Sequence, residues 1–408
     1  MTDQANSAPA EARDVKATWW GVVVLFAAFG SFGAGITHPG AALFDAPVGP
    51  DGPSTVIIQI VQHWLEPIAG PILALVFGIY SGTVVQQGPR RRPGIKRASL
   101  GLLFVGLAHA VFVFAGDLLT SGGLLGLTLG PLTRLKRRGL IVVTAVSLTL
   151  PTALLVSIDL TEGDQRSPTT LQSRDQVLEF NCRQLVDDLV LQSETALGTG
   201  SYRAATAQRV VDFAFGVALG LLQFPSMVAA FSVGLLAATR GNPSGERLLR
   251  FPTVVVLPAL LLAAFWSCKW VVGTGPQAES VFVWPWLSVA GGVTSIALLF
   301  AVLAIADKSI ERFPLAGALL QALGRIPLTA YLATTITMTT LLYGYGFGLG
   351  QTMWPPVAPL MVLALCIGIA AAGSLWLSRF TLGPAEWVLA SIAGWDQVPL
   401  NQPDVVAA

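Results

Sequence analysis

The chain has 408 residues, of which 53% are hydrophobic and only 12% are charged, and its mean hydropathy is +0.66. Soluble domains carry about 25% charged residues, so a chain this apolar could not hide its apolar surface in a soluble core. The net charge of +1 provides no field that would attract a charged polymer. The composition therefore excludes a soluble enzyme, a disordered chain, a nucleic-acid binder and a disulfide scaffold, and it indicates a polytopic membrane protein.

Ten apolar stretches are suited to crossing a bilayer, which takes about 20 mostly apolar residues per helix. We predict spans at 19–36, 65–85, 98–115, 118–132, 139–158, 210–238, 252–272, 282–306, 326–346 and 356–378. The fourth is short and rich in glycine, and only Gly116 and Asp117 separate it from the third, so these two spans fit a tight helical hairpin. Pro225 predicts a kink in the sixth span. The expected fold is an all-α membrane protein, a bundle of about ten transmembrane helices.

Basic residues alternate between the connecting segments. Five, four, three and three Lys or Arg residues lie in the segments 86–97, 133–138, 239–251 and 307–325. None lies in the alternate short segments 37–64, 116–117, 273–281 and 347–355. Because basic loops stay in the cytoplasm, this pattern predicts a multi-pass protein of the cell membrane with both termini cytoplasmic. The first apolar run resembles a signal peptide, and we expect an uncleaved anchor.

This topology divides the chain into five parts. We expect a cytoplasmic tail (1–18), a first block of five spans (19–158), an extracytoplasmic loop (159–209), a second block of five spans (210–395) and a cytoplasmic tail (396–408). Within the loop, apolar residues recur at spacings of three and four, as in an amphipathic helix, at Leu178, Cys182, Leu185, Val186 and Leu189. This helix either packs on loops without a ligand role or roofs a cavity.

His109 and Asp117 lie at the boundary between the third and fourth spans. Ionisable residues inside a membrane are costly and are functional candidates for that reason. On one continuous helix, the eight residues between them would correspond to a rise of about 12 Å, too far for a hydrogen bond unless a turn at Gly116 folds Asp117 back. His109 would then be a general base that Asp117 orients. Alternatively, His109 bonds a neighbouring helix and Asp117 caps the fourth span.

His63 and Glu66 form a second acid–base candidate at the start of the second span. They are three residues apart, so on a helix their side chains could touch. The alternative is an interfacial pair of His63 and Trp64, because Trp favours the headgroup level of a bilayer. The third histidine, His38, is interpreted as a loop residue.

Further candidates concern substrate binding, and each has a plain structural alternative. Arg325, with Tyr331, would contact a phosphate of a substrate or of a lipid head, or would simply be a positive-inside charge. Arg91 and Arg137 lie in basic segments that would bind the diphosphate of a co-substrate or only set the topology. Tyr343 and Tyr345 would stack on a sugar or line an acyl groove, or would belong to an interfacial aromatic belt.

Several stretches of the sequence carry a family resemblance. They are Gly106-Leu107-Ala108-His109, Gly116-Asp117-Leu118-Leu119, Gly200-Ser201-Tyr202 with Arg209, Gly324-Arg325, Leu328 to Leu332, Tyr343 to Gly350, and Gly383-Pro384-Ala385-Glu386-Trp387. With them the chain resembles the YeiB-like family of bacterial membrane proteins over most of 65–395, most strongly from 324 to 387. That family is grouped with the transmembrane acyltransferases, which include the lysosomal heparan-α-glucosaminide N-acetyltransferase.

The resemblance implies a bundle of ten or eleven helices that moves an acyl group from cytoplasmic acyl-CoA to an acceptor across the membrane. It also associates His63 with the region of the lysosomal enzyme's essential histidine. The chain departs from the family at the first span, where Leu-Asp-x-Leu-Arg-Gly is replaced by residues 13–18 and only Asp14 matches. The Gln-Ser that often follows Tyr-Leu in the family is Thr334-Thr335 here.

We therefore expect an integral membrane acyltransferase that moves an acyl group from a cytoplasmic acyl-thioester to a hydroxyl or amine acceptor at the outer face. His63 or His109 would remove the acceptor's proton, and Asp117 or Glu66 would orient that base. Acyl-CoA would serve as co-substrate without any permanently bound cofactor, and the partners would be the lipid bilayer and a small-molecule, lipid or glycan acceptor. The sequence indicates no particular oligomeric state.

Missing motifs narrow the alternatives. The sequence has no P-loop, no Rossmann glycine pattern, no H-E-x-x-H and no G-x-S-x-G, which argues against an ATPase, a dehydrogenase, a zinc protease and an α/β-hydrolase. Its three cysteines form no C-x-x-C pair, so no metal site is expected. A membrane transporter or exporter of a small or amphipathic molecule, or a non-catalytic membrane partner, are the alternative functions.

Overall fold

The computed structural model describes residues 15–36, 66–86, 92–149, 184–185, 188–238, 312–352 and 357–394. These residues are almost entirely helical, and no β-strand occurs among them. The all-α class predicted from the sequence is therefore confirmed for this part of the chain.

Eleven helices make up the described segments. They are α1 (Val15–Ile36), α2 (Glu66–Gln86), α3 (Arg92–Phe112), α4 (Leu118–Leu129), α5 (137–149), α6 (188–198), α7 (Tyr202–Ala238), α8 (Pro314–Arg325), α9 (Pro327–Leu342), α10 (Val357–Leu377) and α11 (Pro384–Ala393). Short 3-10 turns occur at Gly130–Arg134 and Leu349–Gln351.

Most of the predicted spans that fall in described segments coincide with helices to within a few residues. The exceptions are the third, where α3 begins six residues early at Arg92, the fifth, whose described part is 137–149, and the sixth, where α7 begins eight residues early at Tyr202 and includes Pro225. The predicted spans at 252–272 and 282–306 lie outside the described residues, as does most of the apolar stripe in the 159–209 loop. The end of that loop contains α6, which ends at Gly198.

Length and hydropathy single out fewer membrane spans than the sequence analysis expects. Within the described segments, two helices are long and apolar enough to cross a bilayer, at Gly94–Phe112 and Leu360–Leu377. A third results if α8 and α9, which meet at a bend of 95°, count as one broken span. Shorter apolar helices occur at Ala17–Phe29, Gly70–Gln86 and Phe224–Ala238. These helices are consistent with a membrane-associated protein, whereas the ten-span arrangement and its orientation stay predictions.

The segment 307–325 was expected to be a connecting loop, but its second part forms the helix α8. Charged residues flank this helix, with Glu311 and Arg312 before it and Arg325 at its end, so its segment has the pattern of a connecting loop, whereas α4, of equal length, carries no charge. Pro314 occupies the first helical position, which suits its fixed backbone angle. Two glycines let α8 approach α1 closely, because a Cβ at Gly324 or at Gly21 would overlap the backbone of the other helix.

Two apolar clusters share α1. In the first, α1 packs with α2, α4 and α7 through residues such as Val22, Leu75 and Phe231. In the second, the next turns of α1 pack with α8, α9 and α10 through residues such as Val24, Leu323 and Val362. The hairpin of α3 and α4 lies against this body, with α3 also contacting α7 and α11.

Glu386 on α11 caps the beginning of α9. Its carboxylate accepts hydrogen bonds from the backbone nitrogens of Leu328 and Thr329 and from Thr329 Oγ1. In return, Thr329 Oγ1 accepts from the backbone nitrogen of Ala385 at 3.0 Å, so each helix caps the other. Because α9 begins with a proline and without a side-chain cap of its own, its free N–H groups attract the carboxylate of Glu386.

Replacing Glu386 with alanine is expected to destabilise the protein by about 0.5–2 kcal/mol, the usual cost of losing a helix cap. Glu386→Gln should cost less, since an amide oxygen still accepts from the backbone. The measurement is the apparent Tm of the purified protein in detergent, with Glu194→Ala on the exposed face of α6 as the control. Equal Tm values for wild type and Glu386→Ala would contradict this role of the cap.

Candidate functional site

The turn between α3 and α4 brings His109 and Asp117 together. The backbone nitrogens of Val113 and Phe114 both donate to the carbonyl oxygen of His109, at 2.8 and 2.9 Å, and so close the end of α3. The chain then reverses, and Asp117 becomes the N-cap of α4. This turn removes the separation of about 12 Å that a continuous helix would impose.

One oxygen of Asp117 caps α4 and the other holds His109. Oδ2 accepts from the backbone nitrogen of Thr120 at 2.6 Å and from Thr120 Oγ1 at 2.7 Å. Oδ1 lies 2.8 Å from Nδ1 of His109. Because an ionised carboxylate can only accept, Nδ1 carries the proton, and the lone pair of the neutral imidazole is on Nε2.

The free ring nitrogen of His109 faces α9. Nε2 lies 2.8 Å from Oγ1 of Thr335. The exposed fractions of His109, Asp117 and Thr335 are 4%, 6% and 1%, so the three groups interact away from bulk solvent. A carboxylate, an imidazole and a hydroxyl therefore form one connected row, the arrangement in which a base is oriented by a third group.

Thr335 can serve both protonation states of the imidazole. Its Oγ1 also lies 3.1 Å from the carbonyl oxygens of Tyr331 and Leu332. When Nε2 has a lone pair, the hydroxyl can donate to it. When Nε2 is protonated, the hydroxyl can accept from it and turn its own proton to a backbone carbonyl.

Aromatic side chains enclose the imidazole. The ring of Tyr331 lies 5.6 Å from the His109 ring, and the ring of Phe114 lies 6.5 Å from it with its edge turned inward. The hydroxyl of Tyr331 accepts from the backbone nitrogen of Leu118 at 3.1 Å, which ties α9 to the first turn of α4. Tyr331, which the sequence analysis associates with substrate binding, thus lies next to His109.

Gly106 allows the close approach of α3 and α4 on which this geometry depends. A Cβ at this position would overlap the backbone nitrogen of Thr120 and lie 2.7 Å from Asp117 Oδ2. Only a residue without a side chain leaves room for the cap and the carboxylate at this crossing. This accounts for the glycine in the stretch Gly106 to His109.

The structure separates the remaining site predictions into two groups. Arg325 and Arg137 have exposed side chains at helix ends, and neither contacts the cluster around His109. Tyr343 and Tyr345 lie instead around the buried guanidinium of Arg209. The predictions for His63, His38 and Arg91 lie outside the described residues, and Glu66 begins α2 without a described side chain.

Sequence reasoning missed Thr335 as a partner of His109 and Arg209 as a buried cation. Thr335 appeared only as a departure from a family pattern, and Arg209 appeared in a stretch that carries the family resemblance, without a role of its own. The sequence contains a signal for each residue. Thr335 carries a hydroxyl four residues after Tyr331, and Arg209 is a lone Arg at the start of an apolar run. Among the described residues, no group of three or more His, Cys, Asp or Glu side chains could hold a metal ion.

Comparisons with known proteins find similarity to proteins without an assigned activity. Residues 230–396 match the model of a family described as a protein of unknown function, DUF418. The chain is 27% identical over 345 residues to the uncharacterized protein YxaH of Bacillus subtilis (strain 168), covering 81% of this chain and 80% of YxaH. No solved structure matches the chain. These matches support the resemblance to a DUF418 or YeiB-like family, and the region 230–396 matched by the family model includes Thr335 but not His109 or Asp117.

Proposed function

We propose that the protein is an integral membrane acyltransferase in which His109 is the general base. The observation that carries this proposal is the connected row of Asp117, His109 and Thr335, with distances of 2.8 Å on both ring nitrogens. Asp117 fixes the tautomer that leaves Nε2 as the basic nitrogen. A base oriented in this way suits the removal of a proton from a hydroxyl or amine.

The proposed reaction transfers an acyl group from a thioester to that hydroxyl or amine. The acceptor takes the place of the Thr335 hydroxyl at Nε2, and its proton passes to His109 as its oxygen or nitrogen attacks the thioester carbonyl. The new C–O or C–N bond forms, and the C–S bond breaks. The departing thiolate receives the proton from Nε2, so His109 returns to its starting state. Asp117 stabilises the imidazolium that exists in between.

In the topology proposed from the sequence, the two substrates approach the protein from opposite faces of the membrane. It places the turn between α3 and α4 at the outer face and the basic segments around Arg91, Arg137 and Arg325 at the cytoplasmic face. Acyl-CoA would approach those segments, and a small-molecule, lipid or glycan acceptor would reach His109 from outside. The exposed side chains of Arg137 and Arg325 are suited to a phosphate-bearing donor.

The test is thioester consumption by the purified full-length protein in proteoliposomes. Acetyl-CoA and a long-chain acyl-CoA would be supplied with hydroxyl and amine acceptors, and released thiol and acylated acceptor would be measured together. Acceptor-dependent release of thiol in a one-to-one ratio with product is the expected result. Absence of both products for all donors and acceptors would contradict the proposed function.

Thr335→Val is expected to lower kcat about five- to tenfold, because valine keeps the shape but lacks the hydroxyl, which, once displaced from Nε2, would hold the acceptor through one hydrogen bond worth about 1 kcal/mol. Thr335→Ser should keep most of the activity. Thr340→Val on the same helix is the matched control, since Thr340 is exposed and its hydroxyl bonds only the carbonyl of Ile336. An equal loss in Thr335→Val and Thr340→Val would contradict the role assigned to Thr335.

A transporter is the second candidate, and one observation favours it. The 95° bend between α8 and α9 resembles the broken helices that form binding sites in transporters. Uptake or efflux of a substrate by proteoliposomes without any acyl donor would support transport. Release of thiol that depends on both donor and acceptor would support the transferase instead.

A further inference from the structure

Arg209 is a buried cation surrounded by tyrosines. It lies on α7 with an exposed fraction of 0%. Its guanidinium carbon is 5.5, 5.4 and 5.2 Å from the ring centres of Tyr202, Tyr343 and Tyr345. We call these four residues the Arg209 cage. Aromatic faces attract a cation, and three of them together partly replace the water that burial removes.

The hydrogen bonds of Arg209 leave part of the guanidinium unused. Nη1 donates to the carbonyl oxygen of Phe112 at 3.1 Å and to Thr206 Oγ1 at 3.4 Å, and Nη2 donates to the hydroxyl of Tyr345 at 2.8 Å. These bonds use three of the five N–H groups of an arginine. The buried Nε has no acceptor. A buried donor without a partner is costly, so an acceptor is expected there.

Within the described part of the chain, Arg209 forms no ion pair with a carboxylate within 4 Å of its nitrogens. The nearest acidic residue on the same helix, Asp212, has both oxygens engaged: Oδ2 accepts from Ser193 Oγ and Oδ1 from Gln208 Nε2, each at 2.8 Å. The burial of a cation costs less free energy when an anion pairs with it. The free Nε–H and the remaining N–H of the fork suit the oxygens of a carboxylate or phosphate.

The cage is not sealed from its surroundings. Tyr202 has an exposed fraction of 46%, and Tyr345 is half-buried. The rings of Tyr202 and Tyr343 both meet the ring of Tyr345 at steep angles, with centres 5.1 and 5.8 Å apart. An anionic group could therefore approach the guanidinium beside Tyr202 while the other two rings stay in place.

The cage and the His109 cluster share the end of α3. Both Arg209 and the hydroxyl of Tyr202 donate to the carbonyl oxygen of Phe112. Phe112 follows His109 by three residues, about 4.5 Å along a helix axis. One ligand of modest size could thus contact the guanidinium and the imidazole at the same time.

We propose that the Arg209 cage binds an anionic oxygen group, a phosphate or carboxylate, of the acceptor whose hydroxyl or amine is deprotonated by His109. This inference rests on the proposed function and names its substrate class: acceptors with a negative group a few bonds from the reacting atom. Uncharged acceptors would lack the contact that holds them in the site.

Binding can be tested without any acyl donor. Inorganic phosphate, at constant ionic strength set with chloride, is expected to raise the apparent Tm of the full-length protein in neutral detergent. Arg209→Lys keeps the charge but loses Nε and the fork, and should raise the apparent Kd for phosphate at least about tenfold. Arg203→Gln on the exposed face of α7 is the matched control and should bind phosphate as wild type does.

A second variant keeps the test decisive if Arg209→Lys folds poorly. Tyr345→Phe removes the hydroxyl that positions Nη2 and should weaken phosphate binding while the guanidinium stays in place. If phosphate raises the apparent Tm of wild type, Arg209→Lys and Tyr345→Phe by the same amount, the proposal is overturned. This holds even if both variants have a lower Tm without phosphate, which is the result expected for a purely structural arginine.

The source of the anion is distinguished by the membrane. An Arg209-dependent rise in Tm in nanodiscs of phosphatidylglycerol but not of phosphatidylcholine would assign the group to the phosphate of an anionic lipid, and a rise only with soluble phosphate would assign it to a free acceptor. The failure of the proposed function has a different result. If phosphate binding depends on Arg209 but the wild-type protein releases no thiol, the anion site is supported and the acyltransferase function is contradicted. If both activities exist, Arg209→Lys should raise KM for an anionic acceptor more than KM for acyl-CoA.

Discussion

Replacing His109 with glutamine is expected to lower kcat for acyl transfer by about 10²–10⁴-fold, the range that a positioned general base contributes. Glutamine can still bridge Asp117 and Thr335 with its amide, so the helices should remain in place while the proton acceptor is lost. The measurement is acceptor-dependent thiol release by purified protein in proteoliposomes, with the apparent Tm as a check on folding. This is the largest effect that the structure predicts for any single residue.

Asp117→Asn should also lower kcat strongly, for a different reason. An amide at this position can donate to Nδ1 and so favours the tautomer with the proton on Nε2, which is the wrong one for a base. The oxygen that remains can still cap Thr120, so α4 keeps its start. Asp188→Asn, an exposed residue at the start of α6, is the matched control.

A substitution of His63 shows whether the loss of activity is specific to His109. The sequence offers His63 as an alternative base, and His63→Gln should leave acyl transfer within a small factor of wild type if His109 is the base. Loss of activity in His63→Gln together with full activity in His109→Gln would assign the base to His63 and contradict the role of the Asp117–His109 pair.

The sequence predicted most of the described helices because apolar length alone decides where a membrane helix can form. It did not predict α8, because charged residues precede and end this helix, whereas α4, of equal length, has none, and because α8 packs its glycines against α1. The amphipathic pattern of the long loop gave only a general expectation. Its described end contains α6, with Ser193 bonded to Asp212 of α7, a contact that periodicity cannot indicate.

Only those residues of the site that are conspicuous in the local sequence were predicted. His109 and Asp117 were conspicuous as ionisable residues in apolar surroundings, and the turn that joins them was predicted only as one of two possibilities at Gly116. Thr335 could not be predicted, because it lies 226 residues further along the chain and its role depends on how α9 packs against α3. The local sequence pattern identifies ionisable residues whose burial costs free energy, whereas tertiary packing determines which residues they contact.

Gly106→Ala is expected to lower both the stability and the activity, because the added methyl group cannot fit at the crossing of α3 and α4. Its Cβ would overlap the backbone nitrogen of Thr120, and backbone cannot move aside as a flexible side chain does. Overpacking of this kind costs about 1–3 kcal/mol. The helices must move apart at the residues that hold Asp117, and misplacing a catalytic group by about 1 Å can lower the rate about 10²-fold.

Gly368→Ala is the matched control, since the same methyl group at that position of α10 meets no atom within 4 Å. Alanine is also the better helix former, so Gly368→Ala should have an unchanged or higher Tm with wild-type activity. Apparent Tm and thiol release would be measured for both variants side by side. Because the added Cβ also presses on Asp117, Gly106→Ala should lose more activity than its loss of folded protein explains. Equal behaviour of the two alanine variants would show that α3 and α4 are not held at this distance and that the Asp117–His109 contact does not depend on Gly106.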